Sequence, residues 1–596
     1  MIGLYRIGPV DRYRVGPSAE LLYFRMSDTV LLLPSNVAAL TACCTTFKPL
    51  SEHARMLQGL LPTPLSFLEG LAKSGVFVCY DRIMDPVHQL ERSEPNASIS
   101  CVAIPTCDRP RELQRALESY VACAHRYSRK MRFFVADDSL HSESRRRNKE
   151  VVCRVAKSSD CKFYYAGLEE KTDFVQALAS QSGIPRKTLE FALFGPRNCR
   201  LRIGSNRNAI LLHTLGELVL TVDDDSICMG GTFSNPDERD SLALGSEWDS
   251  PDHWFFASRG EAMRSVELTQ LNIFEEHEKL LGRSLISLLK MHRDRFLGIR
   301  NPCPHLMKSL LSHEGRVPVT FTGTLGDSGK CSRGWIATTR NRSTRARLTS
   351  SEGAYRIAVT SREVARQFNS LTIVHHGAPV ATAMGVDNRD LLPPFVPGYR
   401  NSDGLFAVCL SRCMSNTYFG HIPWVLAHDP PLTHQDDAPW PLTVRVWDVV
   451  GELIAAMPET ASALPLRESM ASLGRHFVEV ALSDRDEFRS TVRTISLRRA
   501  SRLLSTAELL LAEFHQEPSY WAQDINHHMS LLRQTVQEPG YGLPLDLLQE
   551  RGPEEVIPAL QEFITEFGLL LISWSTIAGS AQSLKEHGVT MGTEVK

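Results

Sequence analysis

Three consecutive aspartates, Asp223, Asp224 and Asp225, directly follow the apolar segment 218–222. Carboxylates this close repel each other unless a cation lies between them. Mg²⁺ and Mn²⁺ supply that charge, and both prefer oxygen ligands next to the phosphates of a substrate. A solvated acidic turn is the alternative for an isolated triplet. Because the preceding apolar strand would hold this turn rigid, the triplet favours a metal site.

A second acidic pair, Asp137 and Asp138, follows the apolar segment 131–136. Acceptors at a strand end can bind a ribose hydroxyl or a base N–H. Taken alone, the pair could equally cap a helix. Two acidic clusters at successive strand ends favour a ligand site, because ligands of open α/β sheets bind where the strands end.

The elements that must position these carboxylates alternate in type along the chain. Apolar segments predict strands at 100–106, 131–136 and 218–222, and amphipathic segments predict helices at 111–122 and 205–215. This alternation is typical of a parallel sheet with flanking helices, so we predict an α/β domain.

Three segments, in the same order, resemble family-two glycosyltransferases of the GT-A fold. They are AIPTCDRP at 103–110, FVADDS at 134–139, and NRNA at 206–209 with GELVLTVDDD at 216–225, which ends in an Asp-x-Asp motif. Together they lie within the stretch 99–230. Asp138 and Arg207 are 69 residues apart (207 − 138), longer than is usual in this family, so we expect an insertion between them.

The resemblance implies a role for each matching residue. Asp223 and Asp225 would fill the Asp-x-Asp positions and hold Mn²⁺ or Mg²⁺. The ion would neutralise the charge that develops on the leaving nucleoside diphosphate. The positions that would bind the nucleotide-sugar donor are Pro105, Thr106, Asp108, Asp137, Asp138, Arg207, Asp223 and Asp224.

Asp403 lies in the segment YRNSDGLF at 399–406, which resembles the catalytic-base segment of the same family. A Glu-Asp pair is common there, and Ser402 replaces the first acid in this chain. Asp403 would take the proton of the acceptor. The alternative is that it only caps a helix, since aspartate is a good helix start.

Two histidines, His421 and His428, follow Asp403. A late histidine that completes the metal ligands is known in GT-A enzymes, and imidazole suits Mn²⁺ tolerably. We favour His428 as the ligand because it ends an apolar strand. The alternative is a structural role, which is more common for a lone histidine.

The residues from about 18 to 85 predict a small winged-helix-like unit: a hairpin around 26–28, three short helices and a closing strand at 76–78. A polar stretch at 85–98 reads as a linker. The unit resembles PqqD-like proteins, the leader-peptide recognition elements of peptide-modifying enzymes, in which an extended peptide adds a strand to the sheet edge. A DNA-binding or purely structural module is the rival interpretation.

Composition narrows the function classes. The chain has 596 residues, 66 Lys and Arg, and 68 Asp and Glu, so its net charge of −2 disfavours general nucleic-acid binding. No secretory signal is visible, and the longest apolar stretch near the C-terminus, 567–574, is too short to cross a bilayer. The 14 cysteines contain no C-x-x-C pair, so we expect reduced thiols and a cytoplasmic protein.

We therefore predict a winged-helix module at 1–90, a GT-A domain with large insertions at 98–440 and an α-helical domain at 441–596. The expected activity is that of a hexosyl- or N-acetylhexosaminyltransferase that transfers a sugar, with UDP favoured as the nucleotide. A peptide or protein acceptor is a hypothesis that rests on the N-terminal module. The alternatives are a nucleotidyltransferase of related fold and a catalytically inactive protein that binds nucleotide sugars or peptides.

Overall fold

The computed structural model describes residues 3–89, 97–197, 199, 201–245, 251–299, 303–329, 334–375, 382–431, 442–458 and 464–595. The N-terminal elements are β1 (Tyr5–Ile7), β2 (Val10–Val15), β3 (Ala19–Phe24), β4 (Thr29–Pro34), α1 (Ser35–Ala42), α2 (Leu50–Met56), α3 (Pro64–Lys73), β5 (Phe77–Cys79) and α4 (Tyr80–Gln89).

These N-terminal elements surround a hydrophobic core of their own, which includes Leu22, Phe24 and Leu68. β2, β3 and β4 form an antiparallel sheet, so the predicted hairpin is confirmed. β1 pairs with β5. The predicted linker at 85–98 begins inside α4, whose residues Ile83 and Val87 are buried, and residues 90–96 lie outside the described part of the chain.

The next nine elements alternate between strand and helix up to the sixth element, after which two further helices precede the last strand. They are β6 (Cys101–Thr106), α5 (Pro110–Arg126), β7 (Arg132–Asp137), α6 (Ser142–Lys157), β8 (Lys162–Ala166), α7 (Leu168–Ser182), α8 (Arg186–Phe194), α9 (Ile203–His213) and β9 (Glu217–Val222). The predicted strands and helices of this region are confirmed. The stretch between 138 and 207, expected as an insertion, supplies the further strand β8 and the helices α6 to α8.

β6 to β9 form a parallel block with the spatial order β8-β7-β6-β9. Both faces of this block are covered. Along β6, Cys101 and Ala103 enter the core on one face, while Val102 and Ile104 enter the core on the other. Strands buried on both faces have nearly continuous runs of apolar residues, so these strands could be predicted from the sequence.

The sheet continues beyond β9 as a mixed sheet. Its further elements, in chain order, are β10 (Ser226–Gly231), α10 (Pro236–Arg239), β11 (Leu242–Gly245), β12 (Asp252–Phe255), α11 (Arg259–Arg264), α12 (Ile273–Glu278), α13 (Leu285–Met291), the 3₁₀ turn η1 (Arg293–Arg295), β13 (Phe296–Ile299), α14 (Pro304–Ser312), β14 (Arg316–Asp327), α15 (Gly334–Ala337), α16 (Arg342–Leu348), α17 (Glu352–Thr360), β15 (Glu363–Gln367), β16 (Leu371–Val374), β17 (Ala383–Asn388), α18 (Ser402–Cys413) and β18 (Thr417–His428). β17 pairs antiparallel with β9, and β14 lies between β17 and β18. The fold is therefore α/β, as predicted.

The last part of the chain is helical up to its final strand. Its elements are α19 (Val446–Ala456), α20 (Leu466–Ala481), α21 (Arg485–Glu513), α22 (Ser519–Thr535), α23 (Leu545–Leu548), α24 (Pro553–Glu586) and β19 (Thr593–Val595). These helices share one core with the sheet: the Trp574 indole N–H donates to the Leu392 carbonyl at 2.7 Å. β19 pairs antiparallel with β8 and so extends the sheet.

The helix α24 contains the apolar stretch 567–574. By length and composition, this 34-residue helix could cross a membrane. However, 56% of its most apolar window is buried inside the protein, where α24 packs against α20 and α7. Such packing is what a core helix of a folded domain shows.

Candidate functional site

A cavity of about 350 Å³ opens at the carboxyl ends of β6 and β9. Numbered along the block, the parallel strands have the order 3-2-1-4, so the chain reverses its direction of travel across the sheet between these two strands. Ligands of open α/β sheets bind at such a switch point. The residues that line the cavity are Pro105, Thr106, Cys107, Arg109, Asp138, Leu201, Arg202, Ile203, Asn206, Asp223, Asp224, Asp225 and His428.

Asp223, Asp225 and His428 converge at this cavity. One ligand atom of each lies within 4.8 Å of the others. The convergence follows from strand pairing, because β10 begins directly after the triplet and pairs antiparallel with β18, placing Ser226 opposite His428. Residues about 200 positions apart therefore share one corner of the sheet.

The orientation of His428 is fixed by its second ring nitrogen. Its Nδ1–H donates to the Asp327 carbonyl at 2.7 Å. This leaves Nε2 facing the acidic triplet, 3.1 Å from Asp225 Oδ1. A backbone partner of this kind sets the tautomer and ring orientation of histidines that bind metals.

The protein neutralises the three aspartates unequally. Burial raises the pKa of Asp223 and of Asp224. Burial acts in the same direction on Asp225, but His428 and Arg109 outweigh it and hold the Asp225 pKa below its ordinary value. Conversely, burial lowers the pKa of His428, and the two carboxylates beside it outweigh that effect and raise it. Asp225 is therefore the carboxylate of the triplet whose charged form the surrounding residues favour most.

Two arginines and one hydroxyl contact the triplet directly. Arg109 donates to Asp225 Oδ2 at 2.6 Å and to Asp224 Oδ1 at 3.2 Å. The Thr106 hydroxyl donates to Asp224 Oδ2 at 2.7 Å. Arg207, a buried residue of α9, lies 3.2 Å from Asp223 Oδ1. If they were released from the triplet, these same guanidinium and hydroxyl groups could pair with the phosphates of a ligand.

The two aspartates at the carboxyl end of β7 occupy different environments. Asp138 lines the cavity, and its carboxylate accepts from Lys171 at 2.9 Å and from Ser205 at 3.2 Å. Asp137 is 1% exposed and does not line the cavity. It accepts from the Ser139 backbone N–H and from the Asn148 and Tyr165 side chains, at 2.7 to 3.0 Å. Asp137 therefore holds the loop after β7.

Pro105 lies near the end of β6, and Asp108 lies in the turn that follows this strand. Pro105 lines the cavity, whereas Asp108 is exposed and is not one of the lining residues. Asp108 has a positive φ of 57°, and its backbone N–H donates to the Ser139 hydroxyl at 2.7 Å. This turn directs the following residue, Arg109, toward the acidic triplet.

Asp403 is the second residue of α18 and is half-buried. The residue before the helix is Asn401, so the alternative that Asp403 caps α18 is wrong. Asp403 does not line the 350 Å³ cavity, but it lies close enough to raise the pKa of Asp223. It also favours the charged form of the buried residue Arg366.

His421 has the structural role that the sequence left open. It is 3% exposed, and its ring packs 4.3 Å from that of Phe368. Burial lowers its pKa well below the ordinary value, so the imidazole is neutral.

Sequence reasoning missed four polar residues at the site: Arg109, Lys171, Arg202 and Asn206. The need for a cation beside the acidic triplet could have indicated Arg109, which lies within the first quoted segment. No local signal marks Lys171, because the segment Glu169-Glu170-Lys171 reads as a solvated helix face. Its side chain is nevertheless completely buried against Asp138 and Asn206.

No protein-family model matches the chain, and no curated protein matches it. One chain of a solved structure described as "E. coli Microcin synthetase McbBCD complex" is similar at 11% identity and a TM-score of 0.11. The similarity covers 27% of this chain and 60% of that chain. Similarity at this score carries no argument about fold or function.

Proposed function

We propose that this protein is a metal-dependent glycosyltransferase of the GT-A fold that uses a nucleoside diphosphate sugar. The observation that carries the proposal is the convergence of Asp223, Asp225 and His428 at the switch-point cavity. Its further support is the parallel strand order 3-2-1-4, which is the order of nucleotide-binding α/β sheets.

The donor set fits a divalent ion. Two carboxylates and one imidazole suit Mn²⁺, and Mg²⁺ is the alternative. Asp223, Asp225 and His428 would hold the ion. When bound, it would supply positive charge to the leaving nucleoside diphosphate.

The remaining cavity residues would bind the donor. Arg109 and Arg202 offer guanidinium groups that can pair with phosphate oxygens. Asn206 and Asp138 offer hydrogen-bonding groups to the ribose or the base. We favour UDP, because a cavity of about 350 Å³ suits a compact nucleotide.

Asp403 is the proposed general base. The acceptor oxygen or sulfur would bond to the anomeric carbon while the bond from that carbon to the diphosphate oxygen breaks. Asp403 would take the acceptor proton. The proposal is supported by its position in the first turn of α18, close enough to Asp223 to act on the pKa of that carboxyl.

The N-terminal sheet is the proposed peptide-binding element, and the layout 1–90, 98–440 and 441–596 is part of the proposal. Tyr13, Val15 and Leu32 are exposed apolar residues on β2 and β4, the two outer strands of this sheet. An extended peptide could add a strand there, as in PqqD-like modules.

The cysteines of the described residues are free thiols, which agrees with a cytoplasmic location.

Donor binding tests the proposed function. Titration calorimetry of UDP and UDP-sugars should detect binding that requires Mn²⁺, followed by slow hydrolysis of the bound sugar nucleotide. Incubation with nucleoside triphosphates and sugar phosphates provides the contrast. If pyrophosphate were released there while the bound UDP-sugars were not hydrolysed, the protein would be a nucleotidyltransferase instead.

A further inference from the structure

A second cavity, of about 650 Å³, lies between α8 and α24. Its wall includes Gly195, Pro196 and Arg197, which follow α8, and Arg202. Arg202 also lines the cavity beside the acidic triplet, so the two cavities share one wall. Apart from Arg202, no residue that lines the second cavity has a role proposed above.

The charged residues of this second cavity are unequally paired. Lys187 pairs with Glu566 at 2.7 Å and with Glu562 at 3.4 Å. Glu190 pairs with Arg186, which is outside the cavity, at 2.7 Å. The guanidinium groups that have no carboxylate partner among the described residues are those of Arg197, Arg202 and Arg551.

Several buried polar atoms at this cavity also lack a hydrogen-bond partner within the described chain. They are Arg202 Nε, Arg551 Nε and Glu566 Oε2, and Glu566 is only 7% exposed. Leaving a buried polar group unpaired is costly, so such atoms at a cavity indicate a ligand that pairs with them. The guanidinium groups require an acceptor, and Glu566 requires a donor.

The apolar part of the wall is aromatic. Tyr399 and Phe563 pack edge to face with their centroids 5.1 Å apart, and Phe191 meets Phe563 at 5.7 Å. Arg551 lies close enough to Tyr399 to act on the pKa of its phenol. Aromatic rings beside guanidinium groups form a pocket for an anion attached to an apolar body.

We propose that this second cavity binds a carboxylate carried on an aromatic or apolar body, with an N–H or O–H group that donates to Glu566. The lining carries four cationic and three acidic side chains, a formal surplus of one positive charge. That surplus matches a monoanion better than a phosphate dianion. The identity of the ligand rests on the proposed function: the ligand would be the sugar acceptor, or the part of the acceptor that binds next to the donor.

Saturation-transfer NMR on the full chain tests this assignment with N-acetyl-L-phenylalanine as the probe. Its neutral amide is the matched ligand, and phenyl phosphate is the dianionic one. The acid should bind at least about tenfold more tightly than the amide, the loss expected for one charge-assisted hydrogen bond. Equal binding of acid and amide would overturn the anion assignment, and tighter binding of phenyl phosphate would overturn the monoanion assignment.

Substitutions of residues that line the second cavity test whether the acid binds there. Arg551→Gln should weaken the acid at least about tenfold. Arg489→Gln, at an exposed arginine of α21, should leave its affinity unchanged and is the matched control. If Arg551→Gln does not fold, Arg197→Gln on an exposed turn gives the same test. An unchanged affinity in the folded cavity variant would exclude this site.

The two proposals fail separately. If the acid binds in an Arg551-dependent manner while UDP does not bind with Mn²⁺, the second cavity is correctly assigned and the glycosyltransferase proposal is wrong. If UDP binds and the acid does not, the reverse holds.

Discussion

The carboxyl ends of β7 and β9 carry nearly the same sequence signal, an apolar strand followed by adjacent aspartates. At the end of β7, the protein itself satisfies both carboxylates. Asp137 accepts three hydrogen bonds away from the cavity, and Asp138 pairs with the buried ammonium of Lys171. At the end of β9, the carboxylates face the cavity, and burial raises the pKa of two of them.

The comparison shows that local sequence does not decide which side chains surround an acidic strand end. These side chains come from distant parts of the chain. Tyr165 and Lys171 belong to the neighbouring strand and helix on the β7 side, whereas His428 arrives at the β9 side from β18. A metal ion would gain little electrostatic stabilisation from an acidic pair whose charge the protein already neutralises.

Replacement of Asp403 should produce the largest effect, and it acts on the β9 side alone. Asp403→Asn removes the proposed base but keeps the size of the side chain. Turnover should fall roughly 10²- to 10⁴-fold, with the melting temperature nearly unchanged, because Asn401 rather than Asp403 precedes α18. Single-turnover kinetics measures the rate. A near-normal rate would mean that another group takes the proton.

Replacement of Lys171 should destabilise the protein by removing the cation that neutralises Asp138 at the end of β7. Lys171→Met leaves the Asp138 carboxylate without its cation in a buried position, so the free energy of unfolding should fall by about 3–5 kcal/mol. Urea unfolding measures the loss. Exchange of an exposed lysine at the end of α6, Lys157→Met, is the control. A loss as small as the control's would show that the β7 end does not depend on internal neutralisation.

A smaller effect on the same side is expected at Asp137. Asp137→Asn puts an amide N–H₂ among three donors, so some of them lose their acceptor and unfolding should become easier by about 1–3 kcal/mol. Mn²⁺ affinity should not change. A variant that unfolds normally but binds Mn²⁺ or UDP more weakly would assign Asp137 to the donor site.

The part of the fold that the sequence predicts is the part with strong local patterns. β6, β7 and β9 are buried on both faces and therefore form unbroken apolar runs, and α5 is amphipathic with Leu113, Ala116 and Leu117 on its buried side. β8 was not recognised, because Lys162 is exposed and Tyr164 is only partly buried, which interrupts the apolar pattern of this strand.

Only those features of the site that depend on local sequence patterns were predictable. The triplet at Asp223 and the choice of His428 followed from strands that end in polar residues. Their convergence depends on the pairing of β10 with β18, which no nearby residue encodes. The burial of Lys171 and the difference between Asp137 and Asp138 depend on tertiary contacts in the same way.

The central claim is that the β9 end, unlike the β7 end, needs an external cation. Titration calorimetry of Mn²⁺ with UDP present tests it most directly, on the wild-type chain, on Asp225→Asn and on Asp294→Asn, a control at an aspartate whose side chain is 88% exposed. We expect the wild type and the control to bind alike and Asp225→Asn to lose Mn²⁺-dependent UDP binding while remaining folded. Undiminished binding in folded Asp225→Asn would contradict the assignment of the metal site.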